Sequence, residues 1–307
     1  MYKGENAMKN INFFDFQKLF STEKKCYRYL FKTRWPNGFI CPRCGCMEYS
    51  YIKTRSLYQC KSCRYQCSLT AGTVFHKTRT PLVKLFWMVF FIAHDKNGHS
   101  ALDLTRKLNI SYKVAWSMCH KIREAMIEHD TNYQLAGLIE LDDSFFGGKN
   151  VSGPRGRGAS NKVPVIVAAQ LTEDNRPQYA SMTVVENMKE ENVKKTAQKN
   201  ITSGSTIKSD SYSSLCTLKK HGYDHKPVVI GNPKNASKLL PWVHIFIGNA
   251  KSNIRGTYKG VSNKYLQRYL SAFCYRLNRR YTLDLIFNKL LSACADKSPI
   301  TLAELKA

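Results

Sequence analysis

Acidic residues are few in this chain: 22 Asp plus Glu stand against 48 Lys plus Arg in 307 residues, a formal net charge of +26. Such an imbalance concentrates polyanions locally and gives affinity through counterion release from phosphates, although an unusually soluble basic protein would carry it too. Long apolar runs are missing as well. The longest, Leu82–Ala93, is too short to span a bilayer and has Lys84 within it. Residues Met1–Asn12 are polar, without the apolar segment that a secretory signal needs. There is no lipidation motif or amphipathic anchor, which disfavours membrane-surface binding. The absence of repeats at solenoid periods excludes a repeat array. Hydrophobic residues reach 43%, so wholesale disorder is excluded, and the length implies two or three domains.

Cysteine, by contrast, is plentiful. Eleven cysteines without a secretory signal point to a reducing, cytosolic compartment, where close pairs bind metal rather than form disulfides. Cys41 with Cys44, and Cys60 with Cys63, make two CxxC pairs separated by fifteen residues. Each such turn aims two sulfurs at one point, and four thiolates complete a closed tetrahedral Zn²⁺ shell with no position left for catalysis. Tyr49, Tyr51, Tyr58 and Tyr65 suit the short strands of a zinc ribbon, and Arg43, Lys61 and Arg64 offset the thiolate charge. Buried or redox-active cysteines are the rival reading.

The helical signals begin with a short helix in residues 13–35, with Phe13, Phe16, Leu19 and Phe20 on one face. Thr80 and Pro81 read as a cap and first-turn proline opening an apolar helix to about residue 94. Residues 100–127 resemble a helix-turn-helix: Ser100 caps the first helix, residues 109–111 turn, and Ser111 caps the second. Ala115, Met118, Cys119, Ile122 and Met126 repeat at helical spacing, which leaves Lys113, Ser117, His120, Lys121 and Arg123 on other faces. The first four of these are candidates for contacting phosphates and base edges. A helical hairpin used only for packing has the same pattern.

Residues 137–146 alternate like a strand and place Glu140, Asp142 and Asp143 within four residues. A period of two puts Glu140 and Asp142 on one face and Asp143 on the other. Acids on an apolar strand are costly unless a cation binds them, and a divalent metal is the natural partner. A second short strand, 205–210, ends in Asp210, where α/β sheets place their sites. Residues 147–158 are glycine-rich and basic but lack the Walker spacing, so Lys149, Arg155 and Arg157 read as a loop that meets DNA backbone. Leu266, Leu270, Phe273 and Leu277 mark the buried face of a later helix and leave Lys264, Arg268, Arg276, Arg279 and Arg280 for DNA or solvent.

Together these segments resemble the insertion-sequence DDE transposases that carry a zinc ribbon ahead of the catalytic domain. The resemblance covers about residues 15–281 and rests on the paired CxxC, residues 70–75, 139–149, 209–210, 244–251, 256–260 and 267–280. It implies an α/β catalytic domain of RNase H-like type, a mixed sheet flanked by helices, whose first and fourth strands carry Asp142 and Asp210. The third metal-site position would be Asn249, with Lys251 or Arg255 beside the scissile phosphate. The implied layout is an N-terminal helical segment (1–36), the ribbon (37–75), a helix-turn-helix region (80–130), the catalytic domain (136–282) and a C-terminal helical tail (283–307). One structural Zn²⁺ and two catalytic Mg²⁺ or Mn²⁺ ions are the implied cofactors. The implied partners are transposon terminal inverted repeats, target DNA and further copies of the chain, in a bacterial or archaeal cytoplasm. Asn249 in place of the commonest Glu, together with Ser271 and Ala272 where relatives carry acids, keeps open a weakly active or inactive DNA-binding regulator. His244 reads as a helix cap, a DNA contact or a structural histidine.

Overall fold

The computed structural model describes residues 11–147, 162–229 and 236–307. They form two compact units: residues up to Glu128 with Thr282–Ala307, and His129–Tyr281.

In the first unit the opening helical segment is two helices, not one. Asn12 caps α1 (Phe13–Leu19), and Thr22 starts α2 (Glu23–Arg34) by accepting the Lys25 N–H at 3.3 Å. The break turns Phe16 and Phe20 inward while Phe13 and Leu19 stay largely exposed. The ribbon follows as an antiparallel sheet of β1 (Tyr49–Ile52), β2 (Leu57–Cys60) and β3 (Gln66–Ser68). Helix α3 (Leu82–His94) is not capped by Thr80. Instead the Glu23 carboxylate of α2 accepts the Leu82 and Val83 N–H groups at 3.0 and 2.9 Å, satisfying donors that a helix start leaves open.

Helices α4 (Ala101–Leu108) and α5 (Tyr112–Asp130) are joined through Asn109 in the left-handed conformation, φ 47°. Ser100 caps α4 as expected, accepting the Asp103 N–H. This outline fits a helix-turn-helix and a plain helical hairpin alike. His120 departs from the sequence reading: it is fully buried, with its ring 4.2 Å from that of Trp116. Burial along α5 extends well beyond one apolar stripe and takes in Arg123 too.

The segment expected to be a C-terminal tail completes this unit. Helix α11 (Leu283–Asp296), followed by the short α12 (Leu302–Lys306), inserts Phe287 among Phe16, Phe20 and Phe86 at ring distances of 5.0–5.9 Å. Tyr29 donates to Asn288 at 2.6 Å, and the Val74 N–H donates to the Cys294 carbonyl at 3.0 Å.

The second unit is built on a five-stranded sheet. Its strands are β4 (Leu138–Phe146), β5 (Val163–Leu171), β6 (Pro177–Val184), β7 (Thr206–Asp210) and β8 (Asp224–Val228), in the order β6-β5-β4-β7-β8. β4, β5 and β6 pair antiparallel, whereas β7 and β8 run parallel to β4. This is the expected mixed sheet of RNase H-like type. Parallel neighbours need crossovers, and α6 (Glu190–Asn200) and α7 (Ser213–Cys216) supply them. Their face of the sheet buries Ile139, Leu141, Ile166 and Ile207 with Val193 and Leu215. The opposite face packs Val165, Val167 and Met182 against α9 (Pro241–Tyr258, after the short α8, Ala236–Leu239) and α10 (Leu266–Leu277).

Helix α10 also closes the outer edge of the sheet. Gln267 accepts the Val184 N–H and donates to the Met182 carbonyl, and Asn278 does the same at both polar groups of Ala180, at 2.7–3.0 Å. Arg280 donates to the carbonyls of Pro177 and Gln178. An open strand edge is a template for aggregation, and side chains cover this one.

Candidate active site and metal centres

The four ribbon cysteines meet as their spacing predicts. Cys41 and Cys63 sulfurs lie 3.6 Å apart, as do those of Cys44 and Cys60, and all four fall within 4.8 Å of one another. Tetrahedral Zn–S bonds of about 2.3 Å require sulfurs roughly 3.8 Å apart, so the donor set and spacing fit Zn²⁺. The two knuckles share one backbone design: the Cys41 N–H donates to the Cys46 carbonyl and the Cys60 N–H to the Tyr65 carbonyl, at 2.9 and 3.0 Å. Each needs a left-handed residue after its second cysteine, supplied by Gly45 (φ 75°) and Arg64 (φ 58°). The Cys63 N–H, donating to the Cys60 sulfur, helps push that thiol down to about 6.

At the catalytic sheet, Asp142 on β4 and Asp210 at the end of β7 come together, as expected, with carboxylate oxygens within 4.8 Å. Asp143 joins them, contrary to the simple alternation. The reason lies in the ladder. Pairing between β4 and β7 stops at Leu141 and Ser209, so beyond that point β4 has an open edge facing Asp210. The Asp143 N–H donates to the Asp142 carboxylate at 2.8 Å. The fit of these residues to a divalent cation rests on oxygen donors gathered at one point, which hard cations require.

Glu140 points the way its alternation predicts, with Asp142, toward α9. It is buried, and one of its oxygens accepts the N–H groups of both Trp242 and Val243 at 2.9 Å. Burial raises this carboxyl above its usual range, against the opposing pull of those N–H donors. The next residue, His244, places Nε2 3.6 Å from the Asp142 carboxylate. Its Nε2 is buried and has no hydrogen-bond partner among the described residues. Burial lowers the His244 imidazole, partly offset by the charge of Asp210. The sequence left His244 as a helix cap, a DNA contact or a structural histidine, because nothing local ties it to the acids. Only the docking of α9 on β4 brings it to the acids.

The remaining sequence candidates divide by exposure. Asn249 lies on α9 and is exposed, as is Arg255. Lys251 is half-buried, its ammonium 5.4 Å over the Phe146 ring, and burial lowers it while the Asp142 charge pulls the other way. Lys113 is exposed, whereas Ser117 and Lys121 are half-buried, and Ser117 donates to the Val114 carbonyl. Arg268 lies over the Tyr265 ring at 5.5 Å. Arg276 and Arg279 are buried, not presented to DNA. Arg279 grips Asp130 at 2.6 and 3.3 Å and stacks 3.6 Å from the Tyr275 ring centre. Arg280 is committed to the sheet edge. Arg276, near the end of α10, and Arg279 and Arg280, in the turn after it, are more enclosed than period counting suggests. Lys149, Arg155 and Arg157 lie outside the described residues.

Two family models match the chain. Residues 134–278 match the ISXO2-like transposase domain, and residues 21–66 match a transposase zinc-ribbon domain. No curated protein matches. Similar solved structures include a pre-cleavage Mos1 transpososome and the Mos1 strand transfer complex, each 12% identical over 66% of this chain and 75% of that one, at a TM-score of 0.26. A Mos1 transposase paired-end complex with the left transposon end is 11% identical over 61% of this chain and 75% of that one, at 0.23. Superpositions this loose add nothing to the strand order. With ribbon and catalytic domain each matched, in that order along one polypeptide, the chain belongs to the zinc-ribbon insertion-sequence transposases with an ISXO2-like DDE domain.

Proposed function

We propose that this transposase binds the terminal inverted repeats of its own element as double-stranded DNA, cuts there and joins the freed ends to target DNA. The observation that carries the proposal is the meeting of Asp142, Asp143 and Asp210 at the open end of two parallel strands, in a chain of formal charge +26. When bound, a pair of divalent cations supplies Lewis acidity at the attacking and leaving oxygens of an in-line displacement.

The protein's part is to hold and aim. Asp142 and Asp210 provide the anionic cage, and Asp143 adds a third carboxylate. Lys251, seven residues beyond His244 on α9 and thus on nearly the same helical face, meets the scissile phosphate. Arg255 is a full turn further from the acids. Lys113 and Lys121 on α5 contact DNA backbone. Two ends must be joined together, so the working form is a multimer on DNA.

The test is strand cleavage and transfer on duplexes carrying the element's own ends, with Mg²⁺ or Mn²⁺. Asp142→Asn and Asp210→Asn should each abolish nicking while leaving end binding in place. Nicking that survives Asp210→Asn sinks the catalytic assignment. Wild-type protein that binds its ends without nicking under either metal makes the chain a DNA-binding regulator instead.

A further inference from the structure

We infer that His244 is a further protein ligand of the catalytic cation, beside the carboxylates, giving a mixed site of carboxylates and one imidazole that favours Mn²⁺ over Mg²⁺. This rests on the reading of the acid cluster as a divalent-cation site.

Three observations converge. Glu140 fixes the first turn of α9 on β4 through two 2.9 Å hydrogen bonds, so the position of the next residue is set by the strand that carries Asp142. His244 Nε2 then stands 3.6 Å from the Asp142 carboxylate. Ligands around one cation with bonds of about 2.1 Å lie roughly 3 Å apart when adjacent and roughly 4.2 Å apart when opposite, which brackets the observed spacing. Lastly, Nε2 is buried and has no hydrogen-bond partner among the described residues. A buried polar nitrogen without a hydrogen bond is destabilising and rare, and coordination would satisfy it.

Asn249 fits the position less well. It is exposed, and five residues along a helix place it roughly 140° around the axis from His244. Replacing a carboxylate by a neutral imidazole also changes the chemistry. Mg²⁺ demands oxygen donors and gives up its waters reluctantly, whereas first-row transition metals accept imidazole readily. The lost negative charge therefore weakens Mg²⁺ binding more than Mn²⁺ binding.

Electron spin-echo spectroscopy of Mn²⁺ bound to the full-length, zinc-loaded protein reads the ligand directly, without any assay of cleavage. The wild type should show nitrogen modulation from a coordinated imidazole. His244→Ala should lose it and bind Mn²⁺ roughly tenfold or more weakly, the scale on which even outer-shell changes act. Asn249→Ala should retain the modulation. His244→Glu should bind Mn²⁺ without modulation and raise the affinity for Mg²⁺. Zinc content and circular dichroism confirm that each variant is folded. Stoichiometric Mn²⁺ without nitrogen modulation in the wild type overturns His244 as ligand while leaving the cation site standing. No stoichiometric Mn²⁺ binding overturns both.

Discussion

Glu140 accepts the Val243 backbone N–H at 2.9 Å, so a buried strand carboxylate does the work of a helix cap from 103 residues away. Glu23 does the same for α3 through Leu82 and Val83. Both helices begin beside a proline, Pro81 or Pro241, and neither has a side-chain cap of its own at the N-cap position. Glu140→Ala should strand two helix donors and cost about 2–3 kcal/mol, whereas Glu140→Gln keeps an acceptor and should lose less. Urea unfolding of the two variants checks the order.

The ribbon should carry one zinc per chain, released by chelation. Cys44→Ser breaks the closed shell and should unfold the ribbon, since such sites supply folding free energy outright. Trp35, Phe39, Tyr49 and Tyr58 form one aromatic cluster there, with Trp35–Phe39 and Phe39–Tyr49 rings 4.9 Å apart. Loss of near-ultraviolet circular dichroism, with elemental analysis, is the readout. A cluster signal that survives complete zinc removal would contradict it.

Asp143→Asn should impair cleavage, although simple alternation would spare it. Its carboxylate shares a 4.8 Å cluster with Asp142 and Asp210, so metal-dependent nicking should fall by about tenfold or more. Wild-type rates in this variant would show that its carboxylate does not serve the cation.

Arg279→Ala should destabilise the catalytic unit, by about 3 kcal/mol, because it leaves Asp130 without its forked partner in a largely enclosed setting. Thermal unfolding should register the loss. If DNA affinity falls and stability does not, Arg279 is a DNA contact after all.

His94 makes acid stability testable. Burial lowers its imidazole below the ordinary value, and its Nε2 has no hydrogen-bond partner among the described residues. Because the folded pKa is depressed, neutral His94 contributes stability that is present above the unfolded value. That contribution is lost as pH falls through the folded one. His94→Phe, which keeps a ring beside Phe90, should flatten the decline in urea midpoint between about pH 7 and pH 5. An unchanged slope would mean that His94 protonates in the folded protein without cost.

The parts legible in the sequence were those encoded by short-range spacing. Two CxxC pairs define a metal shell because each turn fixes its own geometry, the strand carrying Asp142 announces itself by alternation, and Asp210 stands out as the acid that ends a short strand. The rest depends on long-range docking. Nothing near His244 says that Glu140 will draw its helix onto β4. Arg279 and Arg280, in the turn after α10, look solvent-facing until Asp130 and the outer strand engage them. Asp143 required knowing where the β7 ladder ends, which is a property of the pair and not of either strand.

The position of Phe287 carries a consequence for the order of synthesis. Helix α11 lies in the aromatic core with Phe16, Phe20 and Phe86, yet it leaves the ribosome only after the whole catalytic unit. The first unit therefore cannot finish its core until residues 283–296 have emerged, and a product truncated before them would carry that core unfilled.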